Sequence, residues 1–193
     1  HPRFNDVLDR HAEGMEDATT VKHRIKRIWR FLRNAKVDVV EGHRALVHLA
    51  AKHSGGRLVV AVDWVEVRQY KVLRAAVPLR GRSVPIAFAV ANSWSFFMSQ
   101  NAYEEGFFLQ LKGLLPKDAE VVIIADRGFA RAELGKQLGE MGLHYVIRVC
   151  GVVYFDSPKY RGLLRELDLL PGQHQDLGSG LYCEERPVQR RVV

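Results

Sequence analysis

The sequence predicts an α/β fold: a mixed sheet of element order β-β-β-α-β-α-β, preceded by a helical basic N-terminal segment. Two runs, Leu58-Val59-Val60-Ala61-Val62 and Val121-Val122-Ile123-Ile124-Ala125, carry the sheet, being too short for buried helices and rich in β-branched residues, as central strands are. Helical periodicities separate the later strands. A change of texture near Gly56 divides residues 1–56, a helical basic segment, from residues 57–193. The 193 residues are 47% hydrophobic and 26% charged, enough apolar material for a core and too much charge for a spanning helix of roughly 18 apolar residues.

The first helix is expected over Lys22 to Lys36, where Ile25, Ile28, Trp29 and Leu32 recur at i, i+3, i+4 and i+7. A second follows with Leu46, Leu49 and Ala50, capped by Asp38 with Glu41 three residues on, and ended by Ser54-Gly55-Gly56. After the strand at Leu58 come strands over Tyr70 to Leu79 and Val84 to Ala91, joined by a tight turn at Arg80-Gly81-Arg82-Ser83, so antiparallel pairing follows. Asn101 with Glu104 has the spacing of a capping box and opens a helix through Phe107, Phe108 and Leu111 that Pro116 stops. The strand at Val121 is followed by a helix with Leu134, Leu138 and Met141, closed by Gly142, and by a strand over Tyr145 to Val149. Beyond it, Leu163, Leu164 and Leu167 suggest a short helix ended by Pro171-Gly172, with one more strand near Leu181 to Cys183.

Charge is unevenly placed. The chain carries 29 Lys and Arg against 22 Asp and Glu, a net +7, and five of those seven units fall in residues 1–57. Lys22 to Lys36 holds seven cations (Lys22, Arg24, Lys26, Arg27, Arg30, Arg33 and Lys36) and no acid. Such a stripe is either an ordinary solvated face or a source of phosphate contacts. The missing acids favour double-stranded DNA, with a membrane surface a weaker rival because four large apolar residues suit packing better. Two cysteines, Cys150 and Cys183, make no disulfide framework and no four-ligand zinc site, which points to a reducing, cytoplasmic setting. No signal peptide opens the chain. A start at His1 and an end inside Val192-Val193 suggest a piece of something longer.

The chemistry-bearing candidates are two carboxylates in matching positions: Asp63 ends the first strand and Asp126 ends the fourth. A carboxylate against an apolar sheet needs a cation, a metal or several backbone donors beside it. Were the two strands neighbours, both acids would enter one crevice and repel unless a divalent ion lay between them. Hard oxygen ligands select Mg²⁺ or Mn²⁺, and a two-metal site suits phosphodiester chemistry. The alternative is simpler: Asp126 caps the next helix or pairs with Arg127, and Asp63 faces water. Other templates fail, since the chain has no P-loop, no Gly-x-Ser-x-Gly elbow, no Gly-x-Gly-x-x-Gly after a strand and no His-Glu-x-x-His. Six of its eight histidines precede residue 57 without ligand spacing.

Several stretches together resemble bacterial insertion-sequence transposases of the DDE type, the family founded on insertion sequence four. They are Leu58-Val59-Val60-Ala61-Val62-Asp63-Trp64, Ser99-Gln100-Asn101 with Glu104-Glu105, Ile124-Ala125-Asp126-Arg127-Gly128-Phe129-Ala130-Arg131-Ala132-Glu133-Leu134, and Tyr145-Val146-Ile147-Arg148-Val149. Lys26-Arg27-Ile28 with Arg30-Phe31-Leu32, and Val37-Asp38-Val39, extend the likeness over most of residues 20–150, and the Asp-Arg-Gly-Phe block is its most specific piece. The resemblance implies an RNase H-like core, cut-and-paste phosphodiester hydrolysis and strand transfer at insertion-sequence ends, and Mg²⁺ or Mn²⁺ held as a pair by Asp63 and Asp126. It implies DNA terminal repeats as partner, bound by a homodimer near the bacterial nucleoid. Lys22, Lys26, Arg27, Arg30 and Arg33 on the basic helix, with Arg127, Arg131 and Arg148 near the acids, are then the candidates for DNA phosphate. Arg131 could equally be an exposed helix residue, and Trp64 a core one.

The family's third acid is a Glu within Tyr-x2-Arg-x3-Glu-x6-Lys. Only Tyr145 has an Arg three positions on, Arg148, and Val152 then stands where the Glu belongs; Glu184 and Glu185 are weak substitutes. The expectation is an incomplete transposase of poor activity, with a non-catalytic DNA-binding fragment or regulatory product as the rival.

Overall fold

The computed structural model describes residues 20–79, 81–92, 100–184 and 187–193. Arg80, Ser99, Glu185 and the first 19 residues, His1 and His11 among them, lie outside the described residues. Two compact units divide the chain, residues 1–42 and 43–193.

In the first unit, helix α1 (Val21–Leu32) stops short of the expected Lys36; Ile25, Ile28 and Trp29 are half-buried as the periodicity predicts, whereas Leu32 in the last turn is exposed. Its last turn passes to Arg33, whose guanidinium lies 4.8 Å from the Trp29 ring centroid. Helix α2 (Val39–His53) begins there and runs into the second unit. Asp38 caps it as the sequence suggests, its Oδ1 accepting from the N–H groups of Val40 (2.9 Å) and Glu41 (3.1 Å). Gly55 and Gly56 then take φ of +68° and +101°, a backbone that β-branched residues avoid, and turn the chain into the sheet.

The second unit is α/β. Strands β1 (Arg57–Val67), β2 (Tyr70–Leu79), β3 (Arg82–Asn92), β4 (Glu120–Ala125) and β5 (His144–Ile147) form one mixed sheet in the order β3-β2-β1-β4-β5. The first three pair antiparallel, as expected for strands in quick succession, whereas β4 pairs parallel with both β1 and β5. Parallel pairing needs crossovers, supplied by α3 (Gln100–Leu114) and α4 (Ala132–Glu140). Both helices cover one face. There Leu58, Val60, Val62, Leu73 and Ile123 are nearly solvent-free and share a core with Phe107, Phe108, Leu111, Phe129, Leu134 and Leu138. On the other face His43 of α2 meets Phe88 edge-on at 4.7 Å, while Ile124 and Val146 stay 41% and 62% exposed.

Residues 150–193 depart from the sequence-based expectation. The short helix there is only a 3-10 turn, Leu164–Glu166, set inside a second, four-stranded sheet. Strands β6 (Tyr154–Ser157), β7 (Tyr160–Leu163), β8 (Gly178–Tyr182) and β9 (Val188–Val192) are ordered β7-β6-β8-β9. They pack on a small core of Phe155, Leu164, Leu177 and Tyr182. Strands of four or five residues with at most two buried side chains each leave too little alternation to read.

Candidate functional site

Strand β1 meets β4 in a parallel register that ends at the pair Val62 and Ala125, so Asp63 and Asp126 come next on neighbouring strands. Val62 and Ala125 both face the helix-covered core, so the two acids share the opposite face, and both are exposed. Neighbouring strands lie about 4.8 Å apart, so the two acids follow the last paired residues of adjacent strands.

Neighbouring strands extend this pair into a row. Across β1–β2, Asp63 lies opposite Arg74. Ile147 pairs with Ala125, and the Arg148 N–H donates to the Ala125 carbonyl at 3.1 Å, which sets Arg148 beside Asp126. The order along the row is thus Arg74, Asp63, Asp126, Arg148. Two like charges at that spacing cost about 1 kcal/mol in a water-like dielectric and more as water leaves, and the flanking cations offset part of it. Arg74 is a site neighbour beyond the sequence-predicted candidates. Its signal lay in hairpin register: strands that turn between Val67 and Tyr70 bring residue 63 opposite residue 74.

Asp126 also acts locally, as the simpler alternative supposed. Its Oδ1 accepts from the Gly128 N–H at 2.9 Å and caps the 3-10 turn Arg127–Phe129, a bond that engages one of its two oxygens. Phe129 is 2% exposed, packed edge-on with Phe108 at a centroid distance of 6.5 Å, and anchors this turn in the core. Arg127 and Arg148 are exposed on the surface near the acids.

Arg131 points inward. Its Nη1 donates to Glu104 Oε2, and its side chain is only 20% exposed. Glu104 itself differs from the expected capping partner. Helix α3 already starts at Gln100, so Asn101 lies within the first turn, and Glu104, one turn in, faces the core with no exposed surface. Its Oε1 accepts from Trp64 Nε1 at 2.8 Å and from Gln100 Nε2 at 2.9 Å. A buried carboxylate is tolerable with three donors around it, one of them a cation. Trp64 is accordingly partly buried, with its indole N–H turned to this cluster.

The second sheet grips the same segment. Arg190 of β9, 8% exposed, donates through Nη2 to the carbonyls of Arg131 (3.1 Å) and Ala132 (3.0 Å). Its guanidinium lies between the rings of Tyr145 and Tyr182, 5.3 Å and 4.9 Å from their centroids. The Tyr182 hydroxyl donates to the Ala130 carbonyl at 3.2 Å, and burial pushes that phenol above its ordinary pKa.

Asp63 and Asp126 offer exposed hard-oxygen donors, the kind of ligand that Mg²⁺ and Mn²⁺ take through one or two carboxylates while keeping several waters. Among the described residues no group of three or more His, Cys, Asp and Glu is placed to hold a metal ion. Glu184 is exposed beyond β8.

On α1, Lys22, Lys26, Arg27 and Arg30 are exposed, as is Arg33 just past its end, while Ile25, Ile28 and Trp29 are half-buried. His23, Lys26, Arg27 and Arg30 line one shallow depression. Cys150 and Cys183 are free thiols. Among the described residues no helix is long and apolar enough to cross a membrane. Comparison with protein-family models and with curated proteins returns no match.

Proposed function

We propose that this chain is an incomplete DNA transposase of the DDE type, carrying two of the family's three acids, whose chemistry is metal-dependent phosphodiester hydrolysis and strand transfer at the terminal repeats of a bacterial insertion sequence. One observation supports it above the rest: Asp63 and Asp126 are exposed and follow directly on Val62 and Ala125, the last paired residues of two adjacent strands. The element order β-β-β-α-β-α-β, with one acid on the first strand and the next after the fourth, supports an RNase H-like reading of the α/β core.

Asp63 and Asp126 would hold a pair of Mg²⁺ or Mn²⁺ ions. Bound there, the metal would supply Lewis-acid stabilisation of the phosphodiester and activation of the attacking oxygen. The chain's own residues position the DNA. Arg148, Arg127 and Arg74 flank the acids and suit the phosphates on either side of the scissile bond, while Lys22, Lys26, Arg27, Arg30 and Arg33 add sequence-independent affinity. Arg131 acts from inside, through Glu104. A homodimer on DNA in a reducing bacterial cytoplasm suits this assignment.

The Asp126 cap on Gly128 favours a second reading, a non-catalytic DNA-binding product in which that acid serves the turn alone. Supercoiled plasmid carrying cognate ends separates the two. With Mn²⁺ the transposase nicks it, and Asp63→Asn or Asp126→Asn each abolish nicking. Nicking that survives both changes removes the carboxylates from the chemistry, and DNA binding without any nicking supports the second reading.

A further inference from the structure

Beyond the acids themselves, we propose that Glu104 is a positioning residue that fixes the spacing of Asp63 and Asp126 before any metal binds. The inference rests on the metal role proposed for that pair. Its basis is the connectivity around one buried carboxylate. Oε1 holds the indole of Trp64, the residue after Asp63, and Oε2 holds Arg131, five residues past Asp126. One side chain therefore ties the strand bearing the first acid to the segment bearing the second.

Each end of this tie is stiff. Gln100, on the same helix, gives Glu104 Oε1 a further bond at 2.9 Å, which fixes the carboxylate plane. On the far side, Arg190 and Tyr182 hold the carbonyls of Ala130, Arg131 and Ala132, so a pull on Arg131 is not absorbed by loose backbone. The Asp126 turn between them is pinned by Phe129 in the core and by its own cap on Gly128. Tuning of this kind is what partners behind metal ligands supply, and its loss commonly weakens metal affinity about 10- to 100-fold.

Glu104 bonds Trp64, next to Asp63, and Arg131, five residues past Asp126, and its hydrogen bonds go to neither acid, so a stability role and a positioning role make different predictions. If Glu104 only fills a buried polar site, its variants melt earlier but bind metal normally once folded. If it sets the spacing, affinity falls at temperatures where the fold is intact.

The test is Mn²⁺ titration of the full chain, followed by the electron paramagnetic resonance of free Mn²⁺ at 10 °C, with circular dichroism to establish folding. Asp63→Asn and Asp126→Asn should each remove the binding. Glu104→Gln and Arg131→Met should weaken it about tenfold, and Arg131→Lys, which keeps a cation near Glu104, should restore most of it. Trp64→Phe removes one bond and leaves the ion pair; it should weaken binding several-fold, and it decides the matter if Glu104→Gln does not fold. Folded Glu104→Gln or Trp64→Phe chains with the parent's affinity overturn the positioning role and leave the metal site standing. A parent chain whose Mn²⁺ affinity ignores Asp63→Asn and Asp126→Asn overturns the metal site, and the positioning role with it.

Discussion

Asp63 and Arg74 face each other across the β1–β2 ladder, on the same face of the sheet and next to Asp126. A cation opposite one acid of the pair has two uses, to lessen repulsion within the pair and to meet a phosphate. For Arg74→Ala the second use predicts weaker DNA binding, with the log–log salt slope smaller by about one. Fluorescence anisotropy with duplex DNA over a range of salt concentrations measures it. An unchanged slope would assign Arg74 to the acids alone.

The basic helix makes a larger electrostatic claim. Arg27→Glu with Arg30→Glu reverses two cations on the face that also presents His23 and Lys26, and should flatten the salt dependence by about two to four units of slope. If affinity and slope both stay as they were, α1 is an ordinary solvated face.

Phe129 connects the chemistry to the core. Truncation to alanine removes a ring that is 2% exposed and packed on Phe108, at an expected cost of about 3–5 kcal/mol, measured as a shift in the urea midpoint. Phe129→Leu should cost less than half as much. Equal costs would mean that the turn, not the ring, carries the stability.

The parts of this fold legible in the sequence share one property: a strong, unbroken pattern, periodic in the helices and continuously apolar in the central strands. The runs ending at Asp63 and Asp126 could be read as buried strands because each is five apolar residues long, and their equal lengths in parallel register bring the acids level. Glu104 was not legible in the same way. Three residues after Asn101 it has capping-box spacing, and only the start of α3 at Gln100 turns it inward to Trp64 and Arg131. Arg131 followed suit, because a cation beside two acids resembles a phosphate ligand until its true partner, 27 residues earlier, is known. The second sheet was hidden by strands too short to alternate, with Gly162, Gly178 and Gly180 among its residues.

Gly135→Ala should go against the usual rule for helices. Alanine in a helix interior ordinarily gains about 0.5–1 kcal/mol over glycine. Here the new Cβ would fall on the Arg190 guanidinium, which lies directly over Gly135. That group would have to leave two carbonyls and two aromatic rings, for an expected net loss of about 1–3 kcal/mol. In an Arg190→Met background the same change should lose less or turn favourable. A gain in the parent chain would show that Arg190 re-seats at little cost.

His43 sets a pH dependence. It is 4% exposed, both ring nitrogens are buried without hydrogen-bond partners among the described residues, and burial lowers its pKa below the ordinary 6.5. The unfolded chain therefore takes up a proton at this ring before the folded one does. Its contribution to stability is intact above the unfolded value and is lost as pH falls from about 6.5 toward the folded value. Comparing melting temperatures at pH 7.5 and 5.5, the parent should lose more than His43→Leu. Equal losses would place the acid sensitivity in other groups.

Arg190 and Tyr182 close on three successive carbonyls, those of Ala130, Arg131 and Ala132, from a sheet formed some fifty residues later in the chain. Those carbonyls open the first turn of α4, so the small sheet cannot melt by itself without fraying the helix behind Asp126. The two sheets should then exchange their slowest amide protons at one common rate, and calorimetry of residues 43–193 within the full chain should record one endotherm in place of two. What lies in sequence as an appendix after β5 is, in cooperative terms, part of the body that holds the acids.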